Sequence, residues 1–188
     1  MRLIQFESEL GCRHVGLVAD ERIEVLTGVT STRELALAAI REHRRLAEHV
    51  QSQAREAGPL YRELLEAGRV LPPLDHEDTA HCLVSGTGLT HMGSAATRDK
   101  MHQQGEQDEA KLTDSMQMFR WGMQGGRPKS GSVGAQPEWF YKGDGSIVVR
   151  PGADFPAPDF AEDYGEEPEL TGLYVIGDDG QPYRLGFA

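Results

Sequence analysis

A chain of 188 residues, 38% apolar and 26% charged, is long enough to bury a core in one or two domains and has the composition of a globular protein. Its net charge of −11 argues against nucleic acid or an anionic membrane surface as partner and suits an enzyme that carries cations. No apolar run is long enough for a transmembrane helix, and residues 1–7 lack the apolar core of a signal peptide. The two cysteines, Cys12 and Cys82, lie far apart and form no Cys-x-x-Cys pair, so they read as small core residues in a reducing cytoplasm.

In chain order, 3–6, 13–19 and 23–26 read as short strands, with Asp20-Glu21-Arg22 turning between the last two. Ser31-Thr32-Arg33-Glu34 has the capping-box pattern, in which the Ser31 hydroxyl takes an orphan amide and Glu34 reaches back. One helix is expected from there to about Glu56, with Leu35, Ala39, Leu46 and Val50 on its apolar stripe and Gly58 as its stop. A second helix is expected over 60–67, closed by Gly68. Arg41, Arg44 and Arg45 are interleaved with Glu42 and Glu48, which marks an exposed helix face rather than an anion site. The segment 70–74 holds Pro72-Pro73 and reads as an extended linker, so a first domain spans 1–74 and a second 75–188.

In the second domain, 80–85 reads as a buried strand entering the flexible turn Gly86-Thr87-Gly88. No Gly-Lys-Ser/Thr follows, so this is not a phosphate loop. Helices are expected over 94–102 and 112–122, with a polar stretch over 103–111 between them. The second helix carries Met116, Met118, Phe119 and Trp121, a cluster that suits a core. A glycine-rich loop over 125–136 precedes strands at 138–142 and 147–150. A last hairpin joins 173–176 to 183–187 around Asp178-Asp179-Gly180-Gln181. The apolar run 183–187 has no polar tail behind it, and the chain reads as one cut inside a sheet.

Several side chains invite a chemical reading. Glu167 and Glu169, with Pro168 between them, send two carboxylates to the same side of an extended chain. They form either a solvated acidic loop or two oxygen donors for a hard cation such as Mg²⁺ or Ca²⁺. His76, Glu77, Asp78 and His81 crowd one segment without the spacing of a zinc site and read as a polar loop. His91 follows a strand and a glycine turn, where functional groups concentrate. Arg98 pairs either with Asp99 on a helix surface or with a substrate carboxylate. Lys142 is either a plain exposed lysine or a point charge for an anionic substrate.

The order of three pieces then makes the second half familiar. Tyr141-Lys142-Gly143-Asp144-Gly145-Ser146-Ile147-Val148 resembles the aromatic-Lys-x-x-x-Ser strand and turn of the fumarylacetoacetate hydrolase superfamily. A proline- and glycine-rich stretch follows, here Pro151-Gly152-Ala153-Asp154-Phe155-Pro156. Next comes Glu167-Pro168-Glu169-Leu170 and then Val175-Ile176-Gly177, similar to the family's Glu-x-Glu-Leu strand. Upstream, Gly86-Thr87-Gly88-Leu89-Thr90-His91-Met92-Gly93-Ser94-Ala95 resembles its glycine-rich strand exit. The branch most similar is the divergent one associated with bacterial pentose and sugar-acid catabolism. The match covers residues 80–188 well and the N-terminal part in outline.

The resemblance implies an α+β protein: a small N-terminal α+β domain before a mixed β-roll catalytic domain, incomplete at its C-terminus. It implies one divalent metal, Mg²⁺ or else Mn²⁺ or Ca²⁺, held by Glu167, Glu169 and a further acidic ligand with no counterpart here. It also implies a cytoplasmic homodimer acting on a small 2-oxo acid. Ser94 and Thr97 stand where hydrolytic members carry a water-activating His-x-x-Glu. That departure favours a lyase that dehydrates a 2-keto-3-deoxy sugar acid through a metal-stabilised enolate. His91 or Lys142 would carry the proton or meet the carboxylate, with Ser94 and Arg98 binding substrate. The alternatives are a hydrolase cleaving a carbon–carbon bond of a β-diketo acid, or a non-catalytic, incomplete domain that only dimerises. With two protein ligands for its metal, the 188-residue chain itself is expected to be nearly silent and prone to self-association.

Overall fold

The structure, a computed structural model, describes residues 1–88, 114–162 and 168–188. They form an α+β architecture of small antiparallel sheets and short helices, in two compact units. One unit is Met1–Cys82 with Gly145–Ala188; the other is Leu83–Asp144.

The first unit starts as a meander. Strands β1 (Leu3–Glu7), β2 (Arg13–Ala19), β3 (Arg22–Leu26) and β4 (Arg55–Leu60) pair in sequence order, all antiparallel. The first three lie where the apolar alternation predicts them. Asp20, at φ 53, makes the tight turn into β3. Asp tolerates this left-handed conformation better than most residues.

β1 is buried on both faces. Ile4 and Phe6 pack with Ile23, Val25, Leu64 and Val70 on one side. On the other side Val15 and Leu26 meet Leu35 and Val50, with Leu3 beside them. The sheet is therefore a middle layer, which is why its strands carry apolar residues at successive positions.

The expected long helix is two helices and a strand. α1 (Thr32–Arg41) and α2 (Leu46–Ser52) keep Leu35, Ala39 and Val50 buried, as the stripe requires, but the chain turns sharply between them. At that turn His43 has φ 52, with His43 N–H donating to Ile40 O and Arg44 N–H to Ala39 O. These two bonds form a Schellman cap with histidine in the place usually held by glycine. His49 bridges the break: its Nδ1 lies 2.9 Å from Glu42 Oε2 and its Nε2 3.0 Å from Gln53 Nε2. One ring nitrogen thus faces the carboxylate at the end of α1 and the other faces the amide that follows α2.

Gly58 is not a helix stop. It lies in β4, where a Cβ would fall 2.7 Å from Val25 Cγ2 and 2.8 Å from Ile23 O. Pro59 sits in the same strand beside a register irregularity, one of the places where a strand tolerates proline. α3 (Tyr61–Glu66) ends as expected, with Gly68 at φ 63 and the same pair of capping bonds.

The segment 70–74 is not a linker. Val70 and Leu71 are buried, Val70 bridges Phe6, and Leu71 N–H donates to Gln5 O. This run extends the edge of β1 and leads into a polar network centred on Gln5. The Gln5 side chain is fully buried. Its Nε2 donates to Pro72 O at 2.7 Å and to Asp75 Oδ1 at 3.0 Å, and its Oε1 accepts the Thr32 N–H at 2.8 Å. Thr32 opens α1, so Gln5 satisfies the first orphan amide of that helix. The Ser31 hydroxyl accepts from Arg33 and Glu34, as the capping pattern predicts. Glu34 itself turns to the Thr30 hydroxyl, 3.2 Å away.

The hairpin β7 (Gly172–Ile176) and β8 (Pro182–Phe187) completes this unit, as expected from sequence. Val175 packs on Ala36 and Leu37, with Ile40, Tyr183 and Leu185 around them. α1 thus has two apolar faces, one for the sheet and one for the hairpin. Arg41 closes the contact with a bidentate pair to Asp178, at 2.7 and 2.9 Å. In the hairpin turn, Asp179 Oδ1 accepts the Gln181 N–H and Oδ2 accepts the Tyr183 hydroxyl. These bonds hold the Asp179 carboxyl below its ordinary range, and the Tyr183 phenol is raised chiefly by its bond to Asp179.

In the second unit, β5 (Leu83–Thr87) pairs with β6 (Trp139–Asp144), and α4 (Asp114–Gly125) lies between them in sequence. Two expectations fail here. The buried strand at 80–85 is a 3₁₀ turn, Thr79–His81, followed by a strand whose Leu83 is 66% exposed. The Met and aromatic cluster is not core: α4 holds no fully buried residue, and Trp121 is 57% exposed. In the first unit, the strand expected at 147–150 is replaced by a 3₁₀ turn, Gly145–Ile147, after which Arg150 reaches Glu7 Oε2 and Gly68 O. Cys12 is exposed and Cys82 half-buried, so neither is a core residue. The helix expected at 94–102 lies outside the described residues. No helix among the described residues is long and apolar enough to cross a membrane.

Two predictions follow from the first unit. Gln5→Leu keeps the volume but strands the Thr32 N–H and the Pro72 carbonyl. It should lower unfolding free energy by about 2–4 kcal/mol in urea melts; a change within error would remove Gln5 from the centre of the unit. Asp178 is held below the ordinary carboxylate range, first by its hydrogen bond from Arg41. A depressed folded pKa stabilises above the unfolded value, about 3.9, and that stabilisation fades as pH falls through the lower folded value. Asp178→Asn should therefore melt below the parent at pH 7. The gap should close below about pH 4 and shrink in strong salt. A gap independent of pH would show that charge is not its source.

Candidate functional site

The sequence-predicted site residues divide between described and undescribed segments. His91, Ser94, Arg98 and Glu167 lie outside the described residues, as does Thr97. Lys142 lies on β6, in the second unit, and its side chain is exposed. Glu169 lies in the exposed segment 168–170 that leads into β7, in the first unit.

The surroundings of Lys142 are the best-defined part. Thr87, Gly86 and Ser85 pair with Trp139, Phe140 and Tyr141 in turn. The register then shifts, and Val84 pairs with Gly143. Lys142 is the residue left over: β6 advances two residues, from Tyr141 to Gly143, while β5 advances one, from Ser85 to Val84. An extra residue in one strand is a β-bulge, a device that bends the strand and re-aims a side chain. Gly86, the register partner of Phe140, is buried. A Cβ there would fall 2.5 Å from Phe140 Cζ and 2.7 Å from Lys142 Cε, so both side chains occupy space that only glycine leaves open. The Lys142 ammonium stands 5.7 Å from the Phe140 ring centroid, within reach of a cation–π attraction. Sequence reasoning took Gly86 for part of a flexible turn. The signal that marks it is a lone small residue facing an aromatic across a strand pair, which needs the register to be seen.

Glu169 supplies a carboxylate, a hard oxygen donor of the kind Mg²⁺ and Ca²⁺ take. The donor chemistry of the Glu-x-Glu pair fits such an ion. Among the described residues no group of three or more His, Cys, Asp or Glu side chains is placed to hold a metal ion.

The His76–His81 segment is internally paired, as a polar loop should be. Asp78 N–H donates to His76 Nδ1 at 3.0 Å, Asp78 Oδ1 accepts the Ala80 N–H, and Asp78 Oδ2 lies 2.9 Å from His81 Nδ1. The two rings sit 5.0 Å apart. His76, Asp75 and Thr79 also line a cavity of about 150 Å³ with Cys82 and Val148. That is below the roughly 300–1,000 Å³ of drug-sized ligand sites. Its charged wall is already used: Arg13 Nη2 donates to both Asp75 oxygens, at 2.8 and 2.9 Å, which raises the Arg13 guanidinium above its ordinary value. The cavity is a seam in the fold rather than a reaction chamber.

No family model, curated protein or solved structure matches the chain.

Proposed function

We propose that this chain is a divalent-metal-dependent lyase of the fumarylacetoacetate hydrolase superfamily, dehydrating a 2-keto-3-deoxy sugar acid as a cytoplasmic homodimer. In this reading residues 75–188 belong to a mixed β-roll. The observation that carries it is the order and spacing of three sequence pieces: Tyr141–Val148, the Pro/Gly stretch from Pro151, and Glu167–Glu169 before Val175-Ile176-Gly177. The bulge at Lys142 inside the first piece supports the reading, because bulges gather beside active sites. So does an acidic residue, Glu169, shortly before the start of a strand.

Glu167 and Glu169 would hold the cation, which when bound supplies Lewis acidity to a 2-keto oxygen that gains charge as a proton leaves C3. The residues of the chain do the rest. Lys142 meets the substrate carboxylate as a point charge. His91 takes the C3 proton and returns one to the C4 hydroxyl, which departs as water and leaves an unsaturated 2-oxo acid. Ser94 and Arg98 orient the substrate. Ser94 and Thr97 replace the water-activating His and Glu of hydrolytic members, and so favour dehydration over carbon–carbon cleavage.

Two measurements test this. Mg²⁺ or Mn²⁺ at tenfold excess over its Kd should stabilise the protein by about 1.4 kcal/mol, read as a raised melting temperature. Glu167→Gln with Glu169→Gln should abolish that shift; an unchanged shift would remove the metal site. In turnover assays of the protein, extended by its native downstream sequence if any exists, 2-keto-3-deoxypentonates should lose water. Acylpyruvates should not be cleaved at a comparable rate. The opposite order would make the protein a hydrolase.

A further inference from the structure

Resting on the homodimer in that reading, we propose that the free edge of β7 is the surface on which two copies of this chain pair, strand against strand. A sheet edge exposes a row of unpaired N–H and C=O groups, and folded proteins blunt such edges with proline, charge, bulges or cover. Among the described residues, three of the four sheet edges in the first unit are closed in this way. The outer side of β1 is covered by the 69–71 run, through Glu7 N–H to Arg69 O and Leu71 N–H to Gln5 O. β4 carries Arg55, Glu56 and Pro59. β8 carries Pro182 and Arg184, and holds the extra residue, Leu185, of its register shift against β7. β7 has none of these devices: 170–177 holds no charge and no proline. The run 183–187, which the sequence marks as the open edge, lies on the blunted side.

The hydrogen bonds of the hairpin fix which groups point outward. Thr171 and Ala188 exchange N–H···O bonds, and Gly177 N–H donates to Gln181 O, so the odd-numbered positions of β7 bond across to β8. Alternation turns the backbone groups of Gly172, Tyr174 and Ile176 away from β8. These residues are exposed, Tyr174 at 52% and Ile176 at 61%, while Val175 packs on α1. The blunting of β8 identifies the partner. An antiparallel pair of β7 strands is isologous, so it closes around a two-fold axis. The resulting sheet runs β8-β7-β7-β8, and both of its outer strands are the blunted ones. Growth stops at two. A foreign strand would bring an edge of its own that nothing in this chain protects. Pairing also places no charge in the new ladder, which matters for two copies that each carry −11.

The test uses the full 188-residue chain. Sedimentation across a dilution series should show a dimer that dissociates to monomer. Amide hydrogen exchange reads the edge itself: Gly172, Tyr174 and Ile176 should exchange about tenfold or more slowly in the dimer than in the monomer, with Val175 protected in both. Ile176→Pro removes an outward donor that β8 does not use, and Tyr174→Lys sets like charges on the two paired strands. Each should give a monomer with unchanged circular dichroism, and either decides the matter if the other does not fold. A parent chain that is monomeric at every concentration overturns the proposal and the homodimer together. Parent assemblies larger than a dimer contradict closure by β8 and overturn the proposal. A dimer that survives the folded edge variants, or leaves the three outward amides unprotected, overturns the edge alone and moves the homodimer to another surface. A dimer with a protected edge but no Mg²⁺ stabilisation and no dehydration upholds the edge and defeats the lyase reading instead.

Discussion

The buried amide of Gln5 is the constraint on which the first unit depends. A polar side chain with no exposure is costly unless its donors and acceptor are all used, and Gln5 uses them to tie its own strand to two other pieces of chain. Its own backbone belongs to β1. Its oxygen caps α1 at Thr32, and its nitrogen holds the 72–75 segment. Thr32 reinforces the arrangement by donating its hydroxyl to Pro73 O, and Arg13 by clamping Asp75. An apolar residue at position 5 would suit the packing but would not specify where the helix starts or where the proline-rich segment lies. This is a case in which a satisfied polar network supplies geometry as well as energy.

α1 then inherits a demanding role. Leu35 faces the meander, while Ala36, Leu37 and Ile40 meet the hairpin. Neighbouring positions on a helix point about 100° apart, so a helix clasped between two layers needs a stripe wider than a surface helix shows. Small residues at 36 and 39 let both layers approach. The bidentate Arg41–Asp178 pair lies at the exposed end of this contact, where an ion pair contributes little energy but sets register.

How much of this was legible depends on whether the determining contact is local. β1 to β3 and the last hairpin were readable because alternation and turn residues are short-range. The Ser31 cap was readable for the same reason. The end of α1 was not, because its capping residue is His43; the equivalent cap at Gly68 was seen at once, since glycine is the usual signature. β4 was missed because Gly58 reads as a helix stop, whereas its real reason is the closeness of β3. The 70–74 run looked like a linker because its prolines say extended and cannot say where. Gln5 carried no signal at all. In the second unit, the strand that carries Lys142 was legible from its aromatic run. The bulge at Lys142 and the gap at Gly86 were not, because both exist only once β5 and β6 are in register.

The clasp on α1 has a consequence during biosynthesis. Arg41 and Asp178 are 137 residues apart in sequence. At about 5–20 residues per second, roughly 7–27 s separate the emergence of the helix from that of the hairpin it binds. For that interval the meander has its partners, while Ala36, Leu37 and Ile40 have Leu46 and Leu74 beside them but not the hairpin. The nascent chain therefore carries a half-covered helix through the synthesis of the whole second unit. Throughout that interval the apolar stripe of α1 lacks the hairpin that later covers it.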